Sequence, residues 1–119
     1  MNQPQLNFMA PRKARDMMAD SLDWIAQNPN GWRLIVDSAR RDVAAGNRVR
    51  IKRYIEDLRD SRFVSRQLDK PFKLPNAYSA PFGRILAAWY PELAEYIPMA
   101  HSKTDGCIVP PAPMWARHL

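Results

Sequence analysis

The chain has 119 residues, 46% of them apolar and 25% charged, with a formal net charge of +6. That length fits one domain with a modest core, no segment approaches the roughly 18 consecutive apolar residues of a membrane span, and the first thirty residues lack an apolar stretch followed by a small-residue cleavage site. Cys107 is the single cysteine, which excludes an intramolecular disulfide and a cysteine-based metal cage and suits a soluble protein of a reducing cytoplasm.

Residues 1–15 are polar, contain Pro4 and Pro11 and end in Arg12, Lys13 and Arg15; they read as a flexible basic arm. Residues 16–98 read as a helical core domain. From Asp16 to Gln27, Met18, Leu22 and Ile25 recur at helical spacing with Asp16, Asp20 and Asp23 elsewhere on the surface, a first amphipathic helix. Asn28-Pro29-Asn30-Gly31 stops it, with Asn28 as the expected cap of a second helix and Pro29 at its first position. That second helix runs to about Ala45 on a stripe of Trp32, Ile35, Val36, Ala39 and Val43, and Gly46 is its left-handed stop. A third, to about Asp60, follows from Ile51, Tyr54, Ile55 and Leu58 at i, i+3, i+4 and i+7; on its other side Lys52 with Glu56 and Arg53 with Asp57 are expected to neutralise each other in part.

Between Ser61 and Pro75 the periodicity is lost, and Phe63 to Arg66 facing Phe72 to Leu74 suggests a short β-hairpin. A fourth helix lies within Asn76 to Tyr90, where Tyr78, Phe82, Ile85, Leu86 and Trp89 repeat; Pro81 implies an irregular first turn near Asn76. Pro91 opens a short helix from Glu92 to Ile97, closed by Pro98. Residues 99–119 form a proline-rich tail, extended or looped, packed on or beside the core through Trp115 or through Ile108 and Val109. The fold class expected is mainly α: four to five helices with a small hairpin, in a divergent helix-turn-helix or winged-helix arrangement.

Charge is unevenly distributed. Residues 40–73 hold eleven of the eighteen Lys and Arg and five acids, a net +6 that equals the charge of the whole chain. A one-sign field on part of a small domain attracts polyanions, and double-stranded DNA is the leading candidate. In a helix-turn-helix reading, Ile51 to Asp60 supports and Asn76 to Trp89 reads the major groove, so Asn76, Ser79 and Arg84 are candidates for direct readout. Arg48, Arg50, Lys52, Arg53, Arg62, Arg66 and Lys73 would contact phosphates, the last three as a basic wing. The plainer readings are a helix cap for Asn76, a solvated arginine at Arg84 and a solvated loop at 62–73. The aromatic residues Trp24, Trp32, Tyr54, Phe82 and Trp89 are expected inside rather than stacked on bases.

No enzyme is indicated. His101, Ser102 and Asp105 lie close in sequence, but a nucleophile, base and orienter need a convergence that a short loop rarely supplies. His101, His118 and Cys107 are too few and wrongly spaced for structural zinc, so no metal or cofactor is expected. His101 to Gly106 reads as a turn, with Lys103 available to a phosphate.

Asn47-Arg48-Val49-Arg50-Ile51, Tyr54-Ile55-Glu56-Asp57-Leu58-Arg59, Phe72-Lys73-Leu74-Pro75-Asn76, Arg84-Ile85-Leu86, Tyr90-Pro91-Glu92-Leu93 and Ser102-Lys103-Thr104-Asp105-Gly106 together resemble a group of small phage and prophage-encoded helical proteins of unassigned function, over roughly residues 30–107. The resemblance implies a phage or mobile-element origin, hence the cytoplasm of an infected or lysogenic host, and a helical domain of which the winged helix is one form. It brings no catalytic residues. The rival to DNA binding is a phage-encoded interaction protein that inhibits a host defence or replication enzyme, using the basic surface against an acidic partner; a homodimer reading paired half-sites is compatible with the first.

Overall fold

The computed structural model describes residues 12–60, 74–98 and 106–119. Five α-helices occur among them: α1 (Arg12–Gln27), α2 (Pro29–Ala44), α3 (Ile51–Asp60), α4 (Ser79–Trp89) and the short α5 (Met114–Arg117). Two stretches of 3-10 helix, Asn76–Tyr78 and Pro91–Tyr96, flank α4. The fold is mainly helical, and no strand occurs among the described residues. The expected hairpin falls on residues outside the described ones except at Leu74, which is buried and not in a strand.

Helix α1 begins earlier than its apolar pattern suggests. Arg12 to Arg15 belong to it rather than to a basic arm, because nothing in Arg-Lys-Ala-Arg opposes a helix once the following turns are packed. Asn28 separates α1 from α2, and its side chain does not cap α2. It is buried, and its Nδ2 donates backward to the Trp24 carbonyl at 2.9 Å. Pro29 at the first position of α2 needs no amide partner, so α2 can start without a side-chain cap.

Helix α2 is the spine. Trp32, Ile35, Val36 and Ala39 are fully buried, and their spacing places them on one face of a 3.6-residue period. Phe82 of α4 meets them: its ring lies 5.4 Å from that of Trp32, edge on, and 5.6 Å from Trp24. Trp89 packs edge to face against Trp32 from the other side, at 5.8 Å. Fully burying each large apolar side chain is worth about 1.5–3 kcal/mol, so this aromatic cluster, with Ile25, Ile55, Ile85 and Leu86 around it, carries the core. The aromatic side chains expected inside are there, Trp24 and Trp89 as partly buried residues on its margin.

The irregular start of α4 takes the form of the 3-10 turn Asn76–Tyr78, and Pro81 falls at the third residue of α4, where an amide hydrogen would be unpaired in any case. The Pro91–Tyr96 segment returns the chain across α2. Arg40 of α2 holds it, with Nη1 2.8 Å from Glu92 Oε2 and the guanidinium 5.4 Å from the centre of the Tyr90 ring.

The tail packs on the core as expected through Val109, but not through Trp115 or Ile108. Trp115 and Ile108 are exposed, while Ala112 and Ala116 are buried and Val109 and Leu119 pack against the core. Hydrogen bonds complete the attachment: Trp89 Nε1 to the Pro110 carbonyl at 2.8 Å, the Tyr90 hydroxyl to the Ala116 carbonyl at 2.7 Å, and Arg40 Nη2 to the Leu119 oxygen at 3.1 Å.

Candidate nucleic-acid interface

The basic region begins at the turn between α2 and α3. Gly46 adopts φ +84, a left-handed conformation that glycine enters without steric cost, and the chain reverses there. The Asn47 amide closes the turn on the Asp42 carbonyl at 2.8 Å, and the buried Val49 donates its amide to the Tyr96 carbonyl at 2.9 Å. With Val49 fixed inward, Arg48 beside it is exposed.

Arg50 is already engaged within the protein. Its Nη2 and Nε donate to Asp42 Oδ1 and Oδ2 at 2.8 and 3.3 Å, the two-pronged geometry that a guanidinium makes with a carboxylate. The Tyr54 hydroxyl donates to Asp42 Oδ2 and accepts the Arg50 amide at 3.0 Å. Asp42 is therefore a buried acid held by two donors, Arg50 first and Tyr54 second, and its pKa is lowered to about 2 against the opposing effect of burial. Burial and then the bond to Asp42 push Tyr54 up to about 12. These three side chains lock α2 to α3.

On α3 the remaining cations divide between two flanks of the buried Tyr54-Ile55-Leu58 stripe. At 100° per residue Lys52 and Arg59 share one flank, and Arg53 and Asp57 the other. Lys52 is exposed. Arg53 Nε lies 4.0 Å from Asp57 Oδ2, the expected pair one turn apart, and both are largely exposed; a pair of that kind contributes little. The Lys52–Glu56 pair is not among the ion pairs of the described residues. Arg59 donates to Asn76 Oδ1 and so joins the end of α3 to the 3-10 turn before α4.

That bond changes the reading of Asn76. Bidentate recognition of adenine uses both the oxygen and the nitrogen of the amide, and Arg59 already holds one acceptor site of the oxygen, fixing the direction in which the amide points. Nor does Asn76 cap a helix, since the residue before the 3-10 turn is Pro75 and no side-chain cap bond is formed. Ser79, the first residue of α4, is half-buried. Arg84 is half-buried in the middle of α4, where it and Arg15 act electrostatically on the Cys107 thiol; burial dominates there and raises the thiol pKa. Arg62, Arg66 and Lys73 lie outside the described residues, as do Lys103, His101, Ser102 and Asp105.

Seven of the ten expected interface residues can thus be placed. Arg48 and Lys52 are exposed, Arg53 faces an acid on the far flank of α3, Arg50 and Asn76 are engaged within the protein, and Ser79 and Arg84 are half-buried on α4. The structure does not bring these seven onto one face. The side chains missed by sequence reasoning are Asp42, which meets Arg50 from across the turn at no helical spacing, and the hydroxyl of Tyr54, which stands one turn after Arg50 but reads in the sequence as part of the apolar stripe. No group of three or more His, Cys, Asp or Glu side chains suited to a metal occurs among the described residues, and no helix among them is long and apolar enough to cross a membrane. Comparison with protein-family models, with curated proteins and with solved structures finds no match for this chain.

Proposed function

We propose that this protein binds the backbone of double-stranded DNA, without catalysis, through the turn before α3, the Lys52 side of α3 and the chain that follows. What supports the reading is the placement of charge along the sequence. Residues 61–73 carry four cations and one acid, half of the net charge of the chain, and they follow directly on a helix whose exposed flank offers Lys52, with Arg48 at its approach. Arg48, Lys52, Arg53, Arg62, Arg66 and Lys73 are the backbone contacts, and Arg50 is withdrawn because Asp42 neutralises it. Ser79 and Arg84 are kept as candidates for base contact, Asn76 is not, and α3 with α4 would serve as the supporting and reading helices of a helix-turn-helix variant, winged if residues 61–73 form the wing. A phage or mobile-element source would place the protein beside such DNA in the cytoplasm of an infected or lysogenic host.

Fluorescence anisotropy on a labelled generic duplex tests this. Six neutralised phosphates give an affinity that falls by about 10³ between about 50 and about 200 mM salt. Absence of binding at the lower concentration refutes the reading and favours an acidic protein as the partner of the same surface.

A further inference from the structure

The surface between α2 and α3 opens into a cleft of about 330 Å³. Leu34, Ile35 and Ser38 of α2 line one side, Tyr54 and Leu58 of α3 the other, with Arg41 and Asp57 exposed at its edge. Finished cores do not leave voids of this size, and this one lies at the solvent boundary of the core. Leu34, Ser38 and Arg41 stand at i, i+4 and i+7, a run of about 10 Å at 1.5 Å per residue. Anchor residues of an amphipathic helix laid in a groove repeat at that interval.

The edge carries one cation and one acid, and the two differ in their neighbours. Asp57 has Arg53 beside it at 4.0 Å. Arg41 is exposed and makes no ion pair among the described residues, although Asp37 lies one turn before it. An apolar floor with an unmatched cation at one end, on a protein of net charge +6, is complementary to an apolar ridge that carries a carboxylate. Phosphates gain nothing from Leu34, Ile35 and Leu58, so a duplex does not suit the floor.

We propose that this cleft docks an acidic amphipathic helix of a partner protein, with apolar side chains on Leu34, Tyr54 and Leu58 and a carboxylate on Arg41. This site meets the DNA reading only at Arg53, which sits beside Asp57 at the edge; Arg48 lies on the turn and Lys52 on the opposite flank of α3.

A yeast-displayed library of helical peptides of about 16 residues, long enough to hold a helix when bound, is selected against the full chain. The enriched peptides should carry Leu or Phe at i, i+3 or i+4, and i+7, with Asp or Glu within one turn of the last. A synthetic copy should lose about tenfold or more in affinity on Arg41→Glu, the scale of a charged contact, and a similar amount on Ser38→Trp, which fills the cleft. Arg41 is exposed, so its substitution leaves the fold intact, and thermal melting monitors the Ser38 variant. Binding of duplex DNA by Ser38→Trp should stay at the wild-type level. Three outcomes overturn the proposal: enrichment of no such pattern; winning peptides indifferent to both substitutions; or sedimentation showing self-association that both substitutions abolish, which makes the occupant a second copy. Loss of DNA binding by Ser38→Trp with the peptide still bound would also overturn it, by giving the face to nucleic acid.

Discussion

Replacing Asp42 by Ala should destabilise the protein by about 2 to 3 kcal/mol, and the greater part of that comes from Tyr54 rather than from the ion pair. Arg50 is half-exposed and recovers water when its partner goes, so the loss of the salt bridge adds little. The Tyr54 hydroxyl, on a residue only 4% exposed, still accepts the Arg50 amide but loses the acceptor for its own proton. A buried donor without a partner costs about 1–3 kcal/mol. Unfolding entropy of about 2.1 cal/mol/K per residue over 119 residues makes 1 kcal/mol equal to about 4 °C, so the melting temperature should fall by about 8–12 °C. Tyr54→Phe removes the donor itself, and the Arg50 amide on the exposed turn can turn to water, so it should cost only about 1 kcal/mol. In the double variant nothing buried is left unpaired, and the sum of the single effects should exceed the double effect by about 1 kcal/mol. Urea titration with unchanged m-values measures all three. An Asp42→Ala variant within about 0.5 kcal/mol of wild type, or strict additivity, would refute the reasoning.

The same lock sets the pH range of stability. Asp42 has a folded pKa near 2, below the ordinary 3.8, so its contribution is present above pH 4 and lost as the pH falls from there through 2; Tyr54, raised from 10 to about 12, contributes below pH 10 and loses that contribution as the pH rises through 12. Urea midpoints against pH should therefore decline at both ends, and the acid limb should flatten in Asp42→Ala. In DNA titrations Arg48→Ala and Lys52→Ala should each reduce the slope of log affinity on log salt by about 0.9, whereas Arg50→Ala should leave the slope unchanged and show its effect in thermal melting. Tyr90→Phe severs the tie between Trp32 Nε1 and the Ala116 carbonyl and should cost about 1–2 kcal/mol, with faster proteolysis of residues 106–119 as the readout.

Helices α2 and α3 were legible because period and punctuation agree: Pro29 at the start, an apolar residue every three or four positions, and Gly46 at the turn. The start of α1 was not, since Arg12 to Arg15 hold no apolar signal and are helical only because the turns after them are packed. Asn28 and Asn76 carry the residue type of a cap, yet each amide finds a closer partner in the folded chain, the Trp24 carbonyl and Arg59. Sequence spacing cannot show such competition. The charge of the middle segment is legible as a sum but not as a surface, because a cation counts equally in composition whether it faces water, like Lys52, or a buried carboxylate, like Arg50. Helix α5 follows Pro110, Pro111 and Pro113, which mark an extended approach and conceal the single turn after them.

The hydrogen bond from the Val49 amide to the Tyr96 carbonyl bears on how the chain assembles as it is made. The reversal between α2 and α3 cannot gain this bond until Tyr96 has left the ribosome, whereas Asp42, Arg50 and Tyr54, which join the same two helices, all lie within the first sixty residues. Contacts local in sequence can thus close the helical hairpin first, and the order in which residues are synthesised differs from the order in which the turn's last amide finds its partner.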